Sequence, residues 1–267
     1  MPTLITSSAN PRIKAIRKLR DRKERQETGL FYIEGLRPVA EAVQLHADIE
    51  YLVAAPDLLV SPFAQNLLAE QRLKDQPIIE VSAEVFSGFA LKEGPQGIGA
   101  VIHQHWQTLD QANAAPGMLW IALDAVADPG NLGTILRTGD AIGAAGVILL
   151  DHATDPYDPT AVRASMGALF SQQIVKASFE EFVSWKTKQN IPVTGASGAA
   201  SLDYHAFAYP DPGVLLMGSE RQGLLPQHLR ICDQLVSIPM VGRSDSLNLA
   251  VATAVILYEI FNQRRGK

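Results

Sequence analysis

Short apolar runs bounded by Gly, Pro or Asp alternate with longer segments of helical spacing along the whole chain. In the first hundred residues the pattern predicts strands at Leu30 to Ile33, Tyr51 to Ala54, Ile78 to Val81 and Ile98 to Ile102. Between them it predicts helices at Leu36 to Leu45, Phe63 to Lys74 and Ala83 to Phe89. Asn10-Pro11 is a helix-start signal, a cap residue followed by Pro at the first helical position, and Gly29 is a stop for the basic helix that follows. The polar stretch His103 to Gly117 lacks periodicity and ends in Pro-Gly, so it reads as a linker. Beyond it, strands are expected at Met118 to Leu123, Val147 to Leu150, Gln173 to Val175, Pro192 to Ala196, Val214 to Met217 and Leu235 to Ile238. These runs suit strands covered on both faces of a parallel sheet. A last helix is expected to start near the capping pair Asp245-Ser246, with Leu247, Ala250, Val251, Ala254, Leu257 and Tyr258 on one apolar face. The expectation is an α/β protein: a smaller domain over 1–104, a linker over 105–117 and a larger parallel-sheet domain over 118–267.

Composition narrows this picture. Hydrophobic residues make up 47% and charged ones 19% of 267 residues, enough for a sizeable core. The longest uncharged apolar stretches, Ala141 to Leu150 and Leu247 to Tyr258, are too short for a membrane span of roughly 20 residues. The N-terminus shows no secretory h-region, and a single cysteine, Cys232, excludes an internal disulfide, so the expected location is cytoplasmic. His103 and His105 have a suggestive spacing but no third ligand nearby, so no metal is expected. Net charge is −5, yet residues 1–37 carry nine Lys/Arg against four Asp/Glu, which leaves −10 on the remainder. A basic element on an acidic body suits local phosphate contacts, and equally a solvated charged helix.

Three segments that follow predicted strands carry the candidate chemistry, since ligands of open α/β sheets bind beyond the carboxyl ends of strands. In Ala122 to Ala141 a Pro-Gly turn precedes a helix that Asn131 can cap, with Arg137 about two turns in. In Val214 to Pro226 a buried strand runs into Gly218, where a ligand could approach the backbone closely, and Glu220 beside it is either functional or a surface acid. In Ser237 to Val255, Ser246 reads as an N-cap, whereas Asn248 is an amide in the first turn of an apolar helix, where Asn is a poor helix former. The glycine spacing is not G-x-G-x-x-G, which argues against a dinucleotide-dependent oxidoreductase.

Taken together and in this order, DPGNLGTILRTGDA, LLMGSERQGL and IPMVGRSDSLNLAVATA resemble the SpoU/TrmH branch of the SPOUT methyltransferases, as does VRASMGALF. The stretches ITSSANPRIKAIRKL, FYIEGLRPVAEAV and GPQGIGAVI are similar to the substrate-binding domain these enzymes often carry. The resemblance implies a C-terminal α/β domain threaded into a trefoil knot, S-adenosylmethionine as methyl donor, an RNA ribose 2′-hydroxyl as acceptor and a homodimer. It implies a donor pocket lined by Gly218, Ile238, Met240 and Leu247, with Ala196 at another wall. It implies that Arg137 stabilises the developing alkoxide while Asn131, Glu220, Ser246 and Asn248 position it, Asn131 and Glu220 by orienting Arg137. Because the sulfonium already activates the methyl group, the chemistry calls for no metal. The sequence departs from the family pattern at Gly139 and Arg221. Ribosomal RNA is favoured as substrate, because the N-terminal domain resembles folds that bind RNA bulges and loops. The alternatives are a transfer-RNA 2′-O-methyltransferase and a non-catalytic RNA-binding or ribosome-assembly protein.

Overall fold

A computed structural model describes residues 4–265. They form two compact units, one built from residues up to Gln104 together with Tyr157–Phe170, the other from His105–Pro156 together with Ser171 onward. Residues 157–170, expected within the larger domain, thus pack in the first unit.

The first unit contains α1 (Pro11–Lys18), α2 (Arg22–Thr28), β1 (Leu30–Glu34), α3 (Leu36–Gln44), β2 (Ile49–Ala54), α4 (Pro62–Leu73), β3 (Ile78–Glu80), α5 (Ala83–Ser87) and β4 (Ile98–His103). Its sheet runs β1-β4-β2-β3, with β4 antiparallel to both neighbours and β2 parallel to β3. Ile13, Ile16 and Leu19 turn inward from the basic helix onto Val53, Phe86, Phe89 and Val101.

Asn10 caps α1 through its side chain, and Gly29 ends α2 at φ 67°, as the start and stop signals predict. The single helix expected between them is broken at residues 19–21. The reason is Arg25, a cation buried to 1% exposure. Its Nη1 donates to the carbonyls of Leu19 (2.9 Å) and Arg20 (2.7 Å), which the break leaves without helical partners, and Nη2 lies 3.4 Å from Asp158. Arg20 likewise donates to Phe89 and Ala90. Part of the N-terminal positive charge therefore holds the fold rather than facing solvent.

The second unit contains β5 (Leu119–Asp124), α6 (Pro129–Ala141) and β6 (Gly146–Leu150); α7 (Pro159–Ser165) belongs to the first unit. The second unit continues with β7 (Gln173–Ala177), α8 (Phe179–Gln189), β8 (Val193–Ala196), β9 (Gly213–Met217), α9 (Pro226–Ile231), β10 (Gln234–Val236) and α10 (Leu249–Arg265). All six strands are parallel, in the order β10-β8-β9-β5-β6-β7. Strands β5, β6 and β9 are buried at every residue, which explains their unbroken apolar runs. The polar stretch after β4 packs on this sheet: Trp120 and Trp185 donate their indole N–H groups to the carbonyls of Asn113 and Ala112. His103 pairs with Glu50 at 2.8 Å, and among the described residues no group of three or more His, Cys, Asp or Glu could hold a metal. No helix among them is long and apolar enough to cross a membrane. Burial pushes the Cys232 thiol up to about 12, which keeps it protonated and unreactive.

Replacing Arg25 with Ala removes the donors to two backbone carbonyls and the partner of Asp158. The expected cost is about 3 kcal/mol, read as a lower urea midpoint of unfolding. A midpoint equal to wild type would mean that the guanidinium does not hold the break between α1 and α2.

Candidate active site

Strand order reverses at β5, and the chain ends leaving β8, β9 and β10 surround a cleft of about 530 Å³ at their carboxyl edge. Its walls include Ala196, Gly218, Glu220, Ile238, Met240, Ser246, Leu247 and Asn248. Eight of the ten site residues expected from sequence therefore meet in one place. Asn131 joins them through hydrogen bonds, and Arg137 does not line the cleft.

Glu220 organises one wall. Its carboxylate accepts from the backbone N–H groups of Ala127 (3.0 Å) and Asp128 (3.2 Å) and from Asn131 Nδ2 (3.0 Å). Partial burial works to raise its pKa, but these hydrogen bonds outweigh it and hold the carboxyl below the ordinary range. An ionised carboxylate only accepts, so Asn131 must turn its amide NH₂ toward Glu220. Its Oδ1 then faces away and accepts from Asn248 Nδ2 at 3.0 Å. Asn248 is oriented in turn, and its Oδ1 accepts from the N–H groups of Ala250 (2.9 Å) and Val251 (3.3 Å). One directional relay thus ties the loop after β5, the loop after β9 and the start of α10.

This geometry corrects two capping assignments. The N-cap of α6 is Asp128, whose side chain accepts from the Asn131 N–H at 2.8 Å, with Pro129 as the first helical residue. The N-cap of α10 is Asn248 rather than Ser246, whose hydroxyl bonds Asp245 at 3.1 Å, and the helix begins at Leu249. The expected apolar face is also divided: Leu257 and Ala250 are buried, whereas Val251 and Tyr258 are 49% and 46% exposed.

Gly218 lines the cleft and is also needed by the fold of its own loop. A Cβ there would lie 2.1 Å from the Gly223 backbone carbon, because the loop folds back on itself through a Gly223 N–H to Ser219 carbonyl bond of 2.9 Å. That fold-back presents Glu220 and the exposed Arg221 at the cleft.

Arg137 is exposed on α6 and makes no hydrogen bond or ion pair among the described residues. Within the chain Glu220 bonds Asn131 and Asn131 bonds Asn248, and neither Asn131 nor Glu220 hydrogen-bonds the Arg137 side chain among the described residues.

The segment leaving β10 forms the other wall. Ser237 anchors its start, donating to the Leu202 carbonyl (2.8 Å) and accepting from the Tyr204 N–H (2.9 Å). Asn248 anchors its end. From Ile238 to Leu247 no backbone group bonds another backbone group of the described residues, and Met240 and Leu247 are each 38% exposed. Free amides and carbonyls beside exposed apolar side chains fit a neutral heteroaromatic ring and its sugar. The donor S-adenosylmethionine has such a part in its adenosine, so the residues present fit it.

The family described as SpoU rRNA Methylase family matches residues 118–258, and the MRM3-like substrate binding domain matches residues 10–100. A 23S rRNA (uridine(2479)-2′-O)-methyltransferase of Streptomyces viridochromogenes is 34% identical over 253 residues, covering 92% of this chain and 87% of that protein. The 23S rRNA (guanosine(2553)-2′-O)-methyltransferase RlmP of Bacillus subtilis (strain 168) is 28% identical, covering 96% and 98%. Among solved structures, an AdoMet-bound rRNA methyltransferase from Sinorhizobium meliloti superimposes with a TM-score of 0.90 at 38% identity, covering 99% of this chain and 98% of that one. With a family match over more than half its length and relatives aligned nearly end to end, this chain belongs to the SpoU rRNA methylase family.

Proposed function

We propose that the protein transfers a methyl group from S-adenosylmethionine to a ribose 2′-hydroxyl of ribosomal RNA, acting as a cytoplasmic homodimer. The carrying observation is the wall from Ile238 to Leu247, with its backbone free of backbone partners, next to the Glu220–Asn131–Asn248 relay. The relatives supply the chemistry: those named above act on 23S rRNA at ribose 2′-oxygens, and a structure similar to this one holds AdoMet.

Bound S-adenosylmethionine supplies a methyl carbon already activated by its sulfonium. The protein's own task is to place the 2′-oxygen in line with that carbon and to stabilise the oxygen as its proton leaves. Gly218, Ile238, Met240, Leu247 and Ala196 hold the donor; Glu220, Asn131 and Asn248 keep the three wall segments in register, and Ser246 lies at the same wall. Glu220 is an anchor rather than the base, since its lone pairs are engaged by three donors and its pKa is lowered.

Arg137 supplies the positive charge at the reacting oxygen through its guanidinium. It does not line the cleft of its own chain, so a second copy brings it there. The exposed Val251 and Tyr258 on α10, a helix that packs against α6, support a self-association surface near Arg137.

Two variants test this reading. Arg137→Ala is expected to lower methyl incorporation into unmodified ribosomal RNA by about 10²–10³-fold while donor affinity by calorimetry stays at the wild-type value. Full activity would remove Arg137 from the reaction. Asn248→Asp keeps an equally good helix cap but faces Asn131 Oδ1 with an acceptor. A flipped Asn131 would turn its oxygen on Glu220, so the relay has no repair. The thermal midpoint should be nearly unchanged while donor affinity falls about tenfold. Unchanged donor affinity would show that the relay does not shape the pocket.

A further inference from the structure

The first unit carries a cavity of about 350 Å³ that the methyl-transfer reading does not use. That size lies within the roughly 300–1,000 Å³ of small-ligand sites. At the end of β1, Tyr32 and Glu34 lie two apart and share one face of the strand, and both line the cavity. Pro38, Leu91, Val162 and Met166 add apolar wall, and Arg37, Lys92 and Arg163 stand exposed around it. Arg37 pairs with Glu41 at 3.0 Å, whereas the side chains of Lys92 and Arg163 make no salt bridge or hydrogen bond among the described residues.

The polar atoms here are not satisfied. Glu34 Oε2 accepts the Leu91 N–H at 2.6 Å, but Glu34 Oε1 is buried without a hydrogen-bond partner, as is the hydroxyl of Tyr32, a residue only 5% exposed. Buried polar atoms are nearly always paired, so an orphan carboxylate oxygen on a residue lining the cavity points to a ligand that brings donors. Burial also pushes the Glu34 carboxyl above its ordinary range, against the pull of the Leu91 N–H and of Lys92.

The required ligand has a flat body for the apolar walls, adjacent N–H donors for a carboxylate, and negative charge for the cations. Among the RNA bases only guanine presents two N–H donors side by side, N1–H and N2–H. Uracil offers one N–H between two carbonyl oxygens, and adenine and cytosine set an acceptor beside their amino group. Glu34 retains the lone pairs to accept both donors. We propose that this cavity binds an unpaired guanine of the RNA substrate, with Glu34 accepting N1–H and N2–H while Lys92 and Arg163 meet the flanking phosphates. The inference rests on the RNA-substrate reading and adds to it base discrimination far along the chain from the motifs of the donor cleft. Phosphate contacts would position the strand, and the Glu34 contact would specify the base.

The test is fluorescence anisotropy of full-length protein with single-stranded RNA pentamers, UUGUU against UUUUU and against the same strand with inosine in the centre. The guanine strand should bind about tenfold tighter than the uridine strand, with inosine between them for loss of N2–H. Glu34→Gln should bring the strands to near equality without changing donor affinity. Lys92→Ala combined with Arg163→Ala should weaken all three strands alike. Equal binding of the three strands to wild-type protein would overturn the proposal, and the inosine comparison decides it even if Glu34→Gln folds poorly. Guanine preference without methyl transfer to ribosomal RNA would instead refute the proposed reaction and leave the pocket standing.

Discussion

A carboxylate that can only accept hydrogen bonds fixes the direction of every amide bonded in series with it, and Glu220 imposes that constraint on the cleft. Its oxygens gather two backbone N–H groups at the end of the β5 loop and the amide of Asn131, which sets Asn131 and then Asn248. The last member caps α10, so the register of a 17-residue helix and the position of the preceding wall depend on a charge two loops away. Between the anchors at Ser237 and Asn248 the chain is free to leave its backbone groups unbonded. A loop with that many open amides and carbonyls would be costly in a buried setting; here it lines a solvent-facing cleft and can serve recognition.

Local strengthening of this kind explains how much could be seen in the sequence. The strands of both sheets follow from apolar runs and turn residues, and their ends shift by only a residue or two. The residues of the cleft were legible because they cluster in three segments after strands, and eight of ten line one space. The roles within the cluster were less so. Asn131 read locally as a helix cap and Asn248 as an amide out of place at the start of an apolar helix, yet one is a link and the other both link and cap. The Asp128-Pro129 pair did carry the signal for the true cap of α6, an N-cap residue before Pro at the first turn. The pairing of Glu220 with Asn131, 89 residues apart, leaves no trace in periodicity.

The basic N-terminal stretch shows the same limit from the other side. Continuous helical spacing and charge predict one helix, but a break can be paid in hydrogen bonds from a distant part of a side chain, and Arg25 supplies them. Counting charge alone assigns Arg25 to the surface, whereas it is buried and holds backbone carbonyls; Arg20, though exposed, also donates to backbone carbonyls. Arg137 is the opposite case: its placement on a helix face was readable, and the structure leaves its side chain exposed and outside the lining of the cleft.

The most direct measurement of the central claim is the titration of the Glu220 carboxyl by carbon NMR in the full-length protein. A carboxyl whose folded pKa is depressed contributes stability above the unfolded value, lost as pH falls through the folded one. The midpoint should lie below the ordinary glutamate value of about 4.3 and move upward when Asn131 is replaced by Ala. A midpoint at or above that value, indifferent to Asn131, would contradict the central claim.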